Sequence, residues 1–260
     1  MRLVLDARTA ALAASIDTTA SLDPLSGVAG ALTRHREALA SHERWALNLF
    51  VTPASRLEEV AAAATASFRR GDGSMRIGVV ADMGLGPAMS LIADFHHEMA
   101  PALEVTRVEV DAGSETIEEA IEAATSLDQE TSCFLRLPDP TTPETTASVR
   151  RSLMNVGRTG GISLSGTSHE ALIAAVWEGS YGGVPFIAAS GLDSPFTGAD
   201  GGGVGIVNTM VASAAAEAGE PRDVIERVIA ETDPAAFTTG ASSWGWKGSL
   251  FPGSAIKRSR

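Results

Sequence analysis

Short apolar and β-branched runs alternate with helix-like stretches along this chain. Gly, Ser, Asp or Arg ends each run, and the runs recur at intervals of roughly 30 residues, the length of one strand-plus-helix unit. The predicted strands are Ala46–Val51, Arg76–Asp82, Glu104–Val110, Cys133–Pro138, Asn155–Gly161 and Val184–Gly191. Repeated units of this kind form parallel sheets, and parallel α/β folds collect their functional groups at the carboxyl ends of the strands.

Two further elements flank these units. Asp23-Pro24 opens an N-terminal helix that runs to about His42, because proline is favoured in the first helical turn. Residues 1–23 have only weak periodicity. At the other end, Phe237–Leu250 predicts a β-hairpin, in which bulky residues alternate around Gly245.

The whole pattern predicts one α/β domain over residues 1–260, a (β/α) barrel or a partial TIM-like barrel. Six strands leave two to be found for a closed eight-stranded barrel. Either the C-terminal hairpin supplies them or the sheet stays open or irregular. A doubly wound open sheet is the alternative, although no Gly-x-Gly-x-x-Gly follows the first strand.

The composition limits the classes of partner that we expect for this protein. A formal net charge of −12 opposes binding to nucleic acid, whose phosphates this surface repels. No leader-like apolar stretch opens the chain and no run approaches the roughly 18 residues of a membrane span, so we expect a cytoplasmic protein without a membrane partner. The single Cys133 lies in an apolar run and predicts a buried side chain. The apolar helix Ile206–Ala218 suits either the core or the interface of a homo-oligomer.

Candidate site residues follow the fifth and sixth predicted strands. Arg158 and Thr159 stand beside two glycines, where a guanidinium would point into the mouth of a barrel and bind an anion. The alternative is a turn with a surface ion pair. Ser190 and Asp193 follow the next strand, and Asp193 is either a general base or a turn former.

Earlier strands supply further candidates. Period-two alternation puts Arg107 and Glu109 on one face of their strand, and Phe134 and Arg136 on one face of the next. If Glu109 and Arg136 both point inward, they form either a structural ion pair or a substrate clamp. Asp82 ends the second strand and could also line the mouth, with a surface turn as the alternative. Ser55 and Arg56 follow the first strand at a helix N-terminus, which predicts an anion cradle, with a helix cap as the alternative for Ser55.

No cofactor or metal is expected. The spacing of the five histidines is not that of a metal site, and each is predicted to be a surface or capping residue: His35, His42, His96, His97 and His169. The chain has no P-loop, and both lysines, Lys247 and Lys257, fall near the C-terminus, so Schiff-base chemistry is not expected.

Several stretches resemble a family of bacterial, largely actinobacterial, hypothetical proteins with a predicted α/β barrel. The similarity covers most of the chain in order, and five stretches carry it: His35–Val60, Arg158–Gly161, Phe186–Pro195, Gly205–Asn208 and Asp233–Phe237. The resemblance implies the barrel and the location of its site, with Ser55, Arg56, Arg158 and Asn208 retained. It implies no activity, since none is established for the family.

The chain departs from that family at the reactive positions. Two lysines, a His-His pair, a histidine and a cysteine of the family pattern are replaced by Val156, Ile187, Asp193-Ser194, Val204 and Ala255. The resemblance therefore implies a divergent relative whose reaction has been changed or lost.

These observations lead to an expected function and two alternatives. We expect a cofactor-independent enzyme that transfers a proton on a small anionic metabolite, as a lyase, isomerase or cyclase, and a step in specialised-metabolite biosynthesis would suit it. Arg158, Arg136 and the hydroxyls would bind the substrate, and Glu109 or Asp193 would move the proton. One alternative is a non-catalytic scaffold or regulator. The other is sugar-phosphate or phosphoribosyl chemistry, with a phosphate site near the loop Gly198–Gly205.

Overall fold

The computed structural model describes most of the predicted elements. It covers residues 16–19, 27–42, 44, 47–68, 74–111, 119, 131–137, 148–149, 151, 160–164, 168–182, 186–188, 192, 194–198, 203–239 and 243–252. The chain divides into two compact units, one within Leu12–Phe134 and the other within Leu135–Arg260. That the whole chain acts as one domain stays a prediction.

The unit within Leu12–Phe134 contains a parallel sheet with helices between its strands. Its elements in chain order are β1 (Ile16–Thr19), α1 (Gly27–Ala40), β2 (Leu47–Pro53), a 3-10 turn (Ala54–Arg56), α2 (Leu57–Ser67), β3 (Met75–Val80), α3 (Leu85–Met99) and β4 (Leu103–Asp111). The pairs β1/β2, β2/β3 and β3/β4 are all parallel. Each strand therefore lies beside the strand that precedes it in the chain.

The two faces of this sheet have different neighbours. On one face Phe50 of β2 packs against the imidazole of His35 on α1, with ring centroids 5.7 Å apart. The opposite face is defined by the register, which aligns Val51, Gly78 and Arg107 side by side on β2, β3 and β4. Strand residues that are two apart share a face, so Glu109 lies on the same side as Arg107.

The helix α3 shows why the sequence pattern is informative in this unit. Its buried residues recur at helical spacing: Leu85, Ala88, Ile92, Phe95 and Met99. Asp94, His97 and Glu98 are exposed, as predicted. The helix begins after Gly84, whose φ of 86° is a backbone conformation that glycine adopts without strain.

The boundary between the units passes through β5 (Ser132–Leu137). The named elements within Leu135–Arg260 include a parallel strand pair, helices and a separate antiparallel sheet. The elements are β6 (Gly160–Leu164), α4 (His169–Gly182), β7 (Phe186–Ala188), α5 (Ile206–Glu217), α6 (Arg222–Ile229), a 3-10 turn (Pro234–Ala236), β8 (Phe237–Thr239), β9 (Ser243–Trp246) and β10 (Ser249–Pro252). Strands β6 and β7 are parallel, whereas β8, β9 and β10 are antiparallel in that order.

The mixed α/β class and the parallel sheet are confirmed. Strands β1 to β7 are hydrogen-bonded in chain order, and among the described residues no pairing joins β7 to β1, so a closed TIM barrel is not confirmed. The C-terminal hairpin forms, but as part of its own three-stranded sheet, so it does not supply the missing barrel strands. The predicted N-terminal helix also forms, and a strand that we did not predict, β1, precedes it.

The turn between β9 and β10 explains how that hairpin closes. Lys247 and Gly248 have φ angles of 47° and 87°, the two positive values that a two-residue type I′ turn requires. Lys247 Nζ forms a 2.7 Å ion pair with Glu231, and Trp246 Nε1 donates to the same carboxylate.

Of the helices that the structure describes, none is long and apolar enough to cross a membrane.

Candidate functional site

A buried cluster of charges lies on β1 and β4. Nη2 of Arg107 lies 2.5 Å from Oδ2 of Asp17 and 3.0 Å from Oε1 of Glu109. Arg107 and Glu109 are only 5% and 2% exposed, so water screens this ion pair weakly. A guanidinium that contacts two carboxylates restricts the position of both.

The surroundings of Arg107 leave its side chain little freedom. A Cβ placed on Gly78 would lie 3.4 Å from Nη2, so the absence of a side chain on β3 makes room for the guanidinium. Phe134 of β5 contributes an aromatic ring whose centroid lies 5.7 Å from Arg107 Cζ, within the range of a cation–π contact. Asp17 is held from the other side, because its Oδ1 accepts a 3.1 Å hydrogen bond from Leu49 N.

Two predicted site residues come together where β2 and β3 end. Asp82 accepts a 3.1 Å hydrogen bond from Ser55 N at Oδ1 and a 2.6 Å hydrogen bond from Ser55 Oγ at Oδ2. Both residues are exposed. Glu109 belongs to the same end of the sheet, because it is paired with Val80 in the register and its carbonyl accepts from Ala81 N.

Arg56, predicted to be part of an anion cradle, pairs with a carboxylate of its own segment. Its Nε and Nη2 donate to the two oxygens of Glu59, at 3.3 and 2.9 Å. This hydrogen bond lowers the pKa of Glu59 and raises that of Arg56. The Arg56 guanidinium is therefore paired at the surface with Glu59, three residues further along the same segment.

Asn208, predicted to bind substrate, hydrogen-bonds to the backbone of its own chain. It is fully buried, its Oδ1 accepts from Thr197 N at 3.0 Å, and its Nδ2 donates to the carbonyls of Val228 and Glu231 at 2.9 and 2.7 Å. An amide whose oxygen and nitrogen both bond to backbone has little capacity left for a ligand. Asn208 therefore joins α5 to the end of α6.

Three amides at the end of the loop Gly198–Gly205, near which we predicted a phosphate site, form hydrogen bonds within the chain. Gly205 N donates to Thr197 Oγ1, Ile206 N to Ser194 O and Val207 N to Pro195 O. Each of these three amides therefore has an acceptor within the chain, which leaves it less able to bind a phosphate.

The remaining predicted site residues fall into two groups. Arg158, Thr159, Ser190 and Asp193 lie outside the described residues. Their predicted roles therefore stay predictions. Arg136 lies on β5 and is partly buried. Arg107, from the same strand as Glu109, pairs with it at 3.0 Å.

The histidines give two further corrections. His35 is 1% exposed, so the surface role predicted for it is wrong. His96 is partly buried, and its Nε2 accepts a 3.1 Å hydrogen bond from Val105 N, which joins α3 to β4. Within the described residues no group of three or more His, Cys, Asp or Glu side chains is arranged to hold a metal ion.

A cavity of about 380 Å³ lies at the other end of these strands. It is lined by Ser74, His96, Ala100, Pro101, Leu103 and Glu104. Ser74 precedes β3, and Leu103 and Glu104 begin β4, so the cavity is at the amino ends of the strands. The charged cluster and this cavity are therefore two separate places in the unit.

Sequence reasoning missed the part played by Asp17 and Arg107. Arg107 had a usable signal, since its spacing of two from Glu109 puts both charges on one face of an apolar strand. Asp17 lies in Ile16–Thr19, a four-residue run with a β-branched residue on each side of the acid. A charged residue inside such a β-branched run is the sequence signal that would have indicated Asp17 as a candidate.

Fold and site together define a parallel α/β protein with a buried guanidinium–carboxylate cluster near the carboxyl ends of its strands. The chain matches no protein-family model, no curated protein and no solved structure. The resemblance to the actinobacterial barrel family stays a prediction.

Proposed function

We propose that this protein is an enzyme that transfers a proton on a small metabolite, as a lyase, isomerase or cyclase, with Glu109 as the acid–base group. The observation that supports this proposal most strongly is the 3.0 Å contact between Glu109 and Arg107 at the carboxyl end of a parallel sheet. A carboxylate fixed by a buried guanidinium keeps one orientation, which proton transfer to a bound substrate requires.

The proposed step uses groups of this chain. The Glu109 carboxylate takes a proton from an acidic C–H bond, whose electron pair stays on the substrate as an enolate-like anion, and later returns a proton to the same or another atom. The exposed Ser55 and Asp82 at the neighbouring strand ends would form hydrogen bonds to the substrate. Arg107 is already shared by two carboxylates, so it does not by itself offer an anion site. An anionic substrate is therefore a separate part of the proposal.

Deuterium incorporation tests the proposal with pools of candidate substrates. The protein is incubated in D₂O with pooled 2-oxo acids, 2-hydroxy acids and sugar phosphates, and ¹H NMR follows the loss of C–H signals as solvent deuterons replace protons. The corresponding amides and free sugars serve as uncharged pools. We expect Glu109→Gln to slow exchange by about 100-fold or more. The matched control Glu98→Gln, at an exposed position of α3, leaves exchange unchanged.

Two results would count against this function. If Glu109→Gln exchanges as fast as the wild type, Glu109 is not the acid–base group. If the uncharged pools exchange as fast as the anionic ones, the anionic substrate is wrong while proton transfer stands.

A non-catalytic scaffold is the second candidate. The contacts within the chain also fit a scaffold. Ser55 pairs with Asp82 and Arg107 pairs with Asp17, so these side chains hold the fold together without a ligand. A scaffold would exchange no proton in any pool, and Glu109→Gln would change only the free energy of unfolding. The exchange experiment thus separates the two candidates.

A further inference from the structure

One nitrogen of Arg107 contacts two carboxylates. Nη2 lies 2.5 Å from Asp17 and 3.0 Å from Glu109, so the two acids share a single donor group. Asp17 also has a backbone anchor, the 3.1 Å hydrogen bond from Leu49 N to its other oxygen. Asp17 therefore links the main chain of β2 to the guanidinium, and the guanidinium to Glu109.

The path of the Arg107 side chain explains why such a link is needed. The side chain starts on β4, passes Gly78 on β3, where a Cβ would lie 3.4 Å from Nη2, and reaches Asp17 on β1. An arginine has several rotatable bonds, and a contact with Glu109 alone would join it only to a residue of its own strand. Asp17 fixes the far end of the guanidinium against a different strand.

We propose that Asp17 is a positioning residue that holds Glu109 for proton transfer by acting through Arg107. This inference rests on the proposed function, since Glu109 must be the acid–base group for its position to affect a rate. Asp17 does not donate or accept the substrate proton. Its side chain is 21% exposed, so a small anion from solution can reach the place that it occupies.

Removal and chemical rescue of the carboxylate test this role. We expect Asp17→Ala to slow deuterium exchange by about 10–100-fold, the usual cost of losing a group that orients a functional residue. Sodium formate then restores the rate in Asp17→Ala by occupying the space beside Arg107 Nη2 and Leu49 N. Sodium chloride at equal ionic strength does not restore it. Asp94→Ala, at an exposed position of α3, is the matched control and keeps the wild-type rate.

The outcomes separate this inference from the proposed function. If Glu109→Gln is inactive while Asp17→Ala is as fast as the wild type, or is slow and not restored by formate, the positioning role is wrong and the proposed function stands. If wild-type protein exchanges nothing, the proposed function fails. A crystal structure of Asp17→Ala then decides the geometry: Glu109 still on Arg107 Nη2 overturns the inference, and a turned guanidinium supports it.

Discussion

Arg107 is the residue on which the buried cluster depends. Its guanidinium stands between Asp17 and Glu109, and its removal leaves two carboxylates in a poorly hydrated place without their shared cation. We expect Arg107→Met to lower the free energy of unfolding by about 3–5 kcal/mol, the usual cost of breaking a buried ion pair. Urea unfolding followed by circular dichroism measures this change.

Arg76→Met is the matched control for that prediction. Arg76 is exposed on β3, so the same substitution there should change stability by no more than about 0.5 kcal/mol. The triple variant Asp17→Asn, Glu109→Gln, Arg107→Met removes all three charges and should recover part of the loss. If Arg107→Met unfolds at the same urea concentration as Arg76→Met, the cluster does not stabilise the fold.

Gly205 is closely packed against neighbouring residues. A Cβ at this position would overlap the backbone of Phe196 and the side-chain oxygen of Asn208. Because the backbone of Phe196 cannot give way cheaply, we expect Gly205→Ala to cost about 1–3 kcal/mol or more in urea unfolding. Gly86→Ala has open space and lies in a helix, so it should stabilise by about 0.5–1 kcal/mol. Equal midpoints for the two variants would contradict the close packing at Gly205.

Single residues were predictable where a local rule decided their place. The spacing of Arg107 and Glu109 fixed them to one face, and the positions after β2 and β3 brought Ser55 to Asp82. Asn208 was not predictable, since the carbonyls to which it donates, of Val228 and Glu231, lie 20 and 23 positions away in the chain. No local pattern indicates which distant carbonyls an amide will reach.

The helix α1 carries a titratable group in its core-facing side. His35 packs against Phe50, and burial lowers its pKa below the ordinary value, while the negative charge of Asp17 offsets part of this effect. The unfolded chain therefore binds this proton at a higher pH than the folded chain does. The free energy of unfolding should fall as pH decreases below about 6.5, by up to about 1.4 kcal/mol per pH unit until the folded histidine is also protonated.

Urea unfolding at a series of pH values between 7.5 and 5 tests this dependence, with intervals of about half a unit. Glutamine does not titrate, so His35→Gln should flatten the decline below pH 6.5. His97→Gln on the exposed side of α3 should keep the wild-type decline. A decline that is as steep in His35→Gln as in His97→Gln would show that other groups cause it.

Elements were predictable in kind and less so in their limits. The strands β2 to β5 lie within a few residues of their predicted ranges, because each is an apolar run with polar ends. The strand β6 begins at Gly160, whereas we predicted that a strand ends at Gly161. Glycines interrupt a pattern without telling whether a strand stops or starts there. The strand β1 was missed because four residues are too few for a periodic signal.

For the whole molecule, the sequence predicted the mixed α/β class and the parallel sheet. Repeated strand–helix units explain why β1 to β7 follow one another through the sheet, since such crossovers place consecutive parallel strands side by side. Closure of a barrel depends on strand number and stagger, which no segment of the sequence contains. That the C-terminal hairpin lies in a separate sheet was not predictable either, because it depends on contacts between segments that are distant in the sequence.

The central claim is that a ligand binds at the carboxyl ends of β2, β3 and β4, beside Glu109. Amide chemical shifts in ¹⁵N-labelled protein test it most directly, with the pooled 2-oxo acids, 2-hydroxy acids and sugar phosphates as titrants. We predict that the signals of Ser55, Asp82 and Val110 move with the pool that exchanges deuterium, and that they move less in Glu109→Gln. Shifts confined to the cavity at Ser74, His96 and Glu104, with Ser55, Asp82 and Val110 unmoved, would contradict the claim.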